Sequence, residues 1–403
     1  MSILRKGNKE LIKDINRYTV LNLIRERGAI TRTEIAKECD FGMSTLTYIL
    51  DDLQSNGLIT EGKEISSTGG RRAKLIQFNS EYGFIVSVKI EEERLLFALT
   101  DLDAAIIEST EVAFEEHSSP EKIVALITEN VNALCERKKI SEDGLLGIGI
   151  AVSGLVDRKQ GVVIRSTMLG WEKVSLVAML AEYFPGISIF VDKNINCYTL
   201  AELWLGEGRQ SSNFVCVSVG AGLGLSIVIG RQIYYGVNGG AGEFGHTTLY
   251  PNGYQCHCGQ KGCLEMYASE FYFRNRVKEL KSEPNHLADY HFDLIGQEAK
   301  NANPLAEQLM HDMGTNLGVG LRNLINTFNP EKVILAGEGL HHQELFLEET
   351  RRVAAENFFS KVEKRTEITT SLLEDTAWLQ GAALLVIHQL FQVPIYEEQA
   401  TLI

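Results

Sequence analysis

Between residues 14 and 60, apolar side chains return every three or four positions, the helical period, in three successive runs. DINRYTVLNLIRERG sets Ile15, Val20, Leu23 and Ile24 along one face and stops at Gly28. TRTE opens the second run with Thr31 and Glu34 at capping-box spacing; it passes through Ile35 and Ala36 and breaks near CDFG. MSTLTYILDDLQSNG gathers Leu46, Ile49, Leu50 and Leu53 on one side and ends at Asn56-Gly57. Two short β-like runs, LITEG and AKLIQF, then flank a glycine-rich tip bearing Arg71 and Arg72. From about residue 83 the period shortens. FIVSVKI, LLFALTDL, LLGIGIAV, ISIFV, FVCVSV and LSIVIG read as strands, separated by helical stretches such as SPEKIVALITENVNALCERK. This alternation predicts an α/β body. LEDTAWLQGAALLVIHQLFQV, from Leu373 to Val393, reads as a buried helix.

Two short helices joined by a tight turn form a helix-turn-helix, whose second helix enters the major groove, and the basic hairpin behind it resembles a wing. The third helix carries no Lys or Arg before Asp51, so base reading falls to Ser44, Thr45, Thr47 and Tyr48. Arg32, Lys37 and the wing arginines Arg71 and Arg72 would supply charge for phosphates or a minor groove.

Charge sharpens this division. The chain of 403 residues carries a net charge of -14. Residues 1–80 hold 13 Lys+Arg against 10 Asp+Glu, or +3, which leaves 26 against 43, or -17, on the rest. Only the head is suited to a polyanion. The N-terminus lacks the apolar run of a secretory signal and no window approaches a membrane span, so a cytoplasmic protein is expected.

Three of the seven cysteines fall within HTTLYPNGYQCHCGQKGCLE, residues 246–265. A disulfide would be unusual in the cytosol and would leave one thiol unpaired, and a redox pair would want a two-residue spacer in a thioredoxin-like setting. Unmetallated reactive thiols and a metal site remain. Cys39, Cys135, Cys197 and Cys216 are isolated among apolar or helical neighbours and read as core. The glycine-rich turns in VSVGAGLGLSIVIG and EKVILAGEGL follow strands and could cradle phosphate, though such turns alone say little.

GIAVSGLVDRKQGVV (148–162), MLGWEKVSL (168–176), GAGEFGH (240–246) and CHCGQKGCLE (256–265) together resemble the ROK family of bacterial sugar kinases and sugar-responsive repressors. The resemblance covers essentially the whole chain, and the head followed by GGRR places it with the repressor branch, nearest the xylose repressors. It implies a winged helix-turn-helix over residues 1–80 and a two-lobed actin-like body. Lobe one would span 81–195, lobe two 196–372 with the metal loop, and the helix 373–393 would return to pack on lobe one as core.

The resemblance also implies a structural Zn2+ held by His246, Cys256, Cys258 and Cys263. One imidazole and three thiolates close a tetrahedral sphere and leave no place for activated water. It implies sugar contacts from Glu243, His246 and Glu265, with Asn194 standing where the kinases carry their catalytic aspartate. An amide cannot act as that base but can still bond a hydroxyl. Where the kinases carry a glycine-rich phosphate turn, this chain has Lys89, Ile90, Glu91, Glu92 and Glu93, three carboxylates that repel a triphosphate. Lys193 in the cleft pairs with a carboxylate such as Glu243 or selects a phosphorylated or acidic sugar. The expected protein is a non-enzymatic repressor. A homodimer or homotetramer would read a pseudo-palindromic operator and answer to a monosaccharide or sugar phosphate. A sugar kinase with a regulatory head, and a repressor controlled by a protein partner, are the alternatives.

Overall fold

The computed structural model describes residues 9–65, 73–280, 290–356 and 366–393. Its first unit holds α1 (Lys9–Arg27), β1 (Ala29–Thr31), α2 (Arg32–Cys39), α3 (Met43–Ser55), β2 (Ile59–Ile65) and β3 (Ala73–Phe78). The capping box forms as the sequence predicts. Thr31 Oγ1 accepts from Glu34 N–H at 3.3 Å, and Glu34 Oε2 accepts from Thr31 N–H at 2.9 Å. Asp40 turns left-handed at the end of α2 (φ 53°), which redirects the chain into α3. Leu46, Ile49, Leu50 and Leu53 are all buried, as the helical period requires. On α1 the buried face is Tyr18, Val20, Leu21 and Ile24, so it is rotated from the expected one, and Ile15 and Leu23 are only half-buried. The sheet order is β1-β3-β2, with Ala29–Thr31 added antiparallel to β3, a strand too short to show a period.

The body is built on two five-stranded sheets. The first contains β4 (Phe84–Ile90), β5 (Arg94–Thr100), β6 (Ile106–Ala113) and, after α4 (Pro120–Lys138), β7 (Leu145–Val152). A small antiparallel sheet of β8 (Leu155–Asp157), β9 (Val162–Ser166) and β10 (Trp171–Val174) follows. The chain then passes through α5 (Leu176–Ala181) and re-enters the first sheet as β11 (Ser188–Lys193), giving the order β11-β7-β4-β5-β6. Without a linker, α6 (Asn194–Trp204) leads away toward the second sheet.

That sheet holds β12 (Phe214–Val219), β13 (Leu223–Ile229) and β14 (Gln232–Ile233). After α7 (Glu270–Glu279), α8 (Phe292–Lys300) and α9 (Pro304–Phe328) come β15 (Lys332–Ala336), α10 (Leu347–Ala355) and β16 (Glu367–Thr370), in the order β14-β13-β12-β15-β16. The last helix among the described residues, α11 (Ala377–Leu390), begins later than the expected 373. Its would-be first turn is taken by other partners: Leu373 O accepts from Tyr198 Oη at 2.8 Å, and Leu373 N–H bonds Ser371 Oγ at 3.0 Å. α11 is buried along nearly its whole length between the first sheet and α6. Its C-terminal end meets the head, where Asn22 Nδ2 donates to Phe391 O at 3.0 Å.

Candidate metal loop, cleft and exposed helix

His246 lies on a one-turn helix after the GAGEF segment, and the three cysteines lie on the loop that follows. Gly262 sits at φ +74°, and a Cβ there would overlap the Tyr250 carbonyl, so only glycine lets the loop fold back. Cys256 Sγ is 3.6 Å from His246 Nδ1, and Cys258 Sγ is 3.7 Å from Cys263 Sγ. The four ligand atoms lie within 4.8 Å of one another. A tetrahedral site with metal–sulfur bonds of about 2.3 Å has edges of about 3.7 Å, so the separations fit one thiophilic ion. Burial pushes the Cys256 and Cys263 thiols up, and a bound cation is what would hold them as thiolates. His246, Cys256, His257 and Glu265 also converge, but His257 Nε2 is already 2.7 Å from Glu265 Oε2. The thiol-rich set is the better fit.

Beside this loop lie the residues of the expected cleft. Glu265 is almost buried; its Oε1 accepts from Leu223 N–H at 3.2 Å and its Oε2 lies 3.9 Å from His246 Nδ1. Glu243 lies 4.0 Å from His246 Nε2 and is ion-paired with Lys193, the residue that ends β11. Lys193 Nζ also donates to Ala241 O at 3.2 Å, so one short segment holds the ammonium through both a carbonyl and a carboxylate. Asn194 opens α6 and donates to Ser153 Oγ at 3.1 Å. The structure therefore brings Glu243, His246 and Glu265 together, and Asn194 is the chain neighbour of the lysine paired with Glu243. Asp192 turns the other way: it is 1% exposed, accepts from Lys193 N–H and Asn196 Nδ2, and pairs with Arg158 at 3.0 Å. Burial raises its pKa, and the guanidinium acts against that rise.

Two glycine-rich turns end the neighbouring parallel strands β12 and β15. Between them stands a side chain: Glu338 Oε1 accepts from Ala221 N–H at 2.7 Å, and a Cβ on Gly220 would strike the same carboxylate. The Ala221 N–H is thus already taken by a carboxylate. In the β4–β5 turn, Glu91 is paired with Lys89 at 2.5 Å and with Arg94 at 2.5 Å, so the negative charge there is smaller than three carboxylates suggest. Burial raises Glu92, with Glu116 adding to the effect.

On the head, Ser44, Thr45, Thr47 and Tyr48 are all exposed on α3, opposite its buried leucines. Lys13 Nζ stands 5.0 Å over the Tyr48 ring, a cation the sequence reading did not single out. Arg32 is committed elsewhere. It bonds Glu61 at 3.0 Å, and Glu61 also takes Lys74 at 2.6 Å, tying α2 to the hairpin base. Arg71 and Arg72 lie outside the described residues.

The ROK family model matches residues 85–389, three quarters of the chain. The chain belongs to the ROK family. It is 31% identical over 404 residues to the xylose repressor of Caldicellulosiruptor bescii, covering 97% of this chain and 100% of that one. Among solved structures, a ROK family transcriptional regulator described as a homologue of the Escherichia coli Mlc protein superposes with a TM-score of 0.82 at 26% identity, covering 94% of this chain and 97% of the other. A ROK glucokinase from Streptomyces griseus, bound to glucose and AMPPNP, matches with a TM-score of 0.62 at 25% identity, covering 75% of this chain and 99% of the other. The kinase leaves about a quarter of the chain unmatched, and the regulator spans nearly all of it.

Three residues near this site carry no signal that sequence reasoning could use. Arg158 faces Asp192 from the β8–β9 turn, Glu338 reaches the β12–β13 turn, and His257 lies 3.3 Å from Thr167 Oγ1, which is 90 residues earlier in the chain. His257 is raised by its bond to Glu265. Its neighbours Cys256 and Cys258 drew attention to the metal and away from it.

Proposed function

We propose that the protein is a sugar-responsive transcriptional repressor whose head binds operator DNA and whose cleft binds a neutral monosaccharide. The observation that carries this is the pairing, in one chain, of an exposed reading helix with a cleft whose carboxylates are held by a metal loop. Glu243 and Glu265 are hydroxyl acceptors fixed by Lys193, by Leu223 N–H and by His257, and Asn194 adds an amide. Lys193 already serves Glu243 and Ala241 O, so it is not a free cation that would invite a phosphate or a uronate. The C. bescii relative is named a xylose repressor, which makes a pentose or hexose the first choice.

Zinc is the ion that this Cys3His set suits, and it would fix the loop without entering any reaction. His246 would bind it through one ring nitrogen and turn the other toward the sugar. The chain is read as a non-enzyme. Asn194 offers no general base, and the Glu338 carboxylate occupies the glycine turn where a nucleotide phosphate would lie. No helix of the described residues is long and apolar enough to cross a membrane, in keeping with a cytoplasmic regulator. A two-fold dimer, or a tetramer of such dimers, would present paired reading helices to a pseudo-palindromic operator, with each head at 1–80, the lobes at 81–195 and 196–372, and α11 returning to lobe one. Sugar releases DNA only to the extent that it binds the released arrangement more tightly.

The test is a thermal-shift panel on the zinc-loaded full chain with xylose, glucose, N-acetylglucosamine, glucose 6-phosphate and glucuronate, each repeated with MgATP and assayed for sugar phosphate. A neutral sugar raising the melting temperature without phosphoryl transfer is the expected result. Stabilisation by the anionic sugars alone overturns the neutral reading, and sugar phosphate formed from ATP overturns the non-enzyme reading. No shift with any sugar replaces the sugar effector with a protein partner.

A further inference from the structure

Helix α6 has one end in the cleft and the other against the head. Lys193 and Asn194 form its start, Ile195 to Leu203 are buried without a break, and Trp204 is its last residue. At that far end, Arg25 of α1 is enclosed by three aromatic rings from three different parts of the chain. Its guanidinium carbon lies 3.8 Å from the ring centre of Phe391 at the end of α11, 5.4 Å from Phe78 of the head and 6.0 Å from Trp204. Arg25 Nε is buried and has no hydrogen-bond partner among the described residues. Burial lowers the guanidinium to about 10, with Asp103 acting against the fall. A buried cation is costly, and ring faces are what offset the loss of water here. The offset depends on distance, so small displacements of Trp204 or Phe391 leave the cation uncompensated.

Such displacements have a cause in the cleft. Lys193 is tied to Glu243, a carboxylate 50 residues further along the chain, so anything that engages Glu243 competes for the ammonium at the head of α6. The helix has little room to absorb that change internally. Gly381 of α11 lies directly on the Cys197 backbone of α6, where a Cβ would overlap the carbonyl, and packed interiors transmit displacement because they compress little. Ser371 bonds both Glu202 and Tyr198 of α6, which fastens the segment before α11 to the same helix.

We infer that Arg25 is a positioning residue through which the state of the cleft sets the docking of the head, with α6 and α11 moving as one body between Lys193 and the ring box. The trigger rests on the sugar-responsive reading above; the wiring from Lys193 to Arg25 does not.

The experiment is amide hydrogen exchange by mass spectrometry on the full-length, zinc-loaded protein, read on peptides covering α1. Lys193→Ala frees the start of α6 and is expected to change α1 exchange by about threefold, the scale of a modest coupling. The same change is expected from Glu243→Gln, which removes the ion pair from the other side and stands in if Lys193→Ala fails to fold. In an Arg25→Leu background the response should vanish, and in an Arg25→Lys background, which keeps a cation over Phe391, it should persist. An α1 indifferent to both cleft variants overturns the inference, as does a response of equal size in Arg25→Leu. Xylose and glucose added to the wild-type chain form a separate arm. If neither binds while the cleft variants still move α1, the sugar reading fails and the wiring stands.

Discussion

Removing the guanidinium of Arg158 leaves the Asp192 carboxylate in the interior without its counter-charge. Asp192 is 1% exposed, whereas the Arg158 side chain is 26% exposed and stacks 4.0 Å from the Tyr235 ring centre, so the two partners lose unequally when the other is cut. Arg158→Met should cost about 3 kcal/mol, the lower end of the range for breaking a buried pair, because Asn196 Nδ2 and Lys193 N–H still serve the carboxylate. Asp192→Asn keeps the shape and leaves a guanidinium that can reach water, so it should cost about 1 kcal/mol. The pH dependence separates the two. Burial already raises Asp192 above its ordinary value, and losing Arg158 raises it further. A carboxyl whose folded pKa exceeds its unfolded value of about 3.9 contributes most when protonated, and that contribution is lost as pH climbs. The Arg158→Met deficit should therefore be small while Asp192 is protonated in both folded proteins, grow by about 1.4 kcal/mol per pH unit above the raised folded pKa of the wild type, and level off about two units higher. The Asp192→Asn deficit should instead shrink as pH climbs, because only the wild-type carboxyl titrates and its raised folded pKa makes the wild type lose stability over that range. Urea midpoints measured from pH 4 to pH 8 decide the matter. A deficit in Arg158→Met that is equal at both ends of the range, or one no larger than in Asp192→Asn, would refute the account of a buried, arginine-compensated carboxylate beneath the cleft.

Gly381→Ala should lower the melting temperature although alanine is the better helix former by about 1 kcal/mol, because the new Cβ forces α6 and α11 apart at the cost of overpacking, about 3 kcal/mol. A melting temperature at or above that of the wild type would refute the close α6–α11 contact. Cys258→Ser should reduce bound zinc, measured by elemental analysis, and weaken neutral-sugar binding by about tenfold or more by calorimetry, because the loop that aims Glu265 and His246 loses a ligand. Full zinc content with unchanged sugar affinity would remove the metal loop from the site.

What could be read from the chain follows the range over which each contact acts. The face of α3 was legible because Leu46, Ile49, Leu50 and Leu53 fall on one side at the helical period and nothing outside the helix competes. The metal loop was legible because its four donors lie within 18 residues of chain, so their types and spacing are visible together. β6 escaped because its half-buried face includes Glu108 and Thr110 and alternates with exposed Ile107, Ser109 and Glu111, which reads as surface loop. The rotation of α1 escaped because its buried face is chosen by α2, α3 and β3, and by the end of α11, rather than by its own period. The start of α11 was misplaced because the Leu373 carbonyl serves Tyr198, a residue 175 positions earlier.

The same distinction explains why departures from the kinase motifs read more easily than long-range regulatory contacts. An amide at Asn194 is visible as one letter out of place in a motif. The carboxylate of Glu338 in the β12–β13 turn is 117 residues from its partner, and the Asn22–Phe391 contact spans 369. Closing a loop of such length costs only slightly more than closing a short one, so the fold can place any two residues together without leaving a periodic trace. Regulation in this protein depends on such placements. The cleft must meet the head through α6, and each end of that helix is completed by residues from remote parts of the chain: Glu243 at one end, Arg25 and Phe391 at the other. A relative that keeps the cleft motifs while losing the ring box around Arg25 should bind sugar and no longer pass the signal to its head.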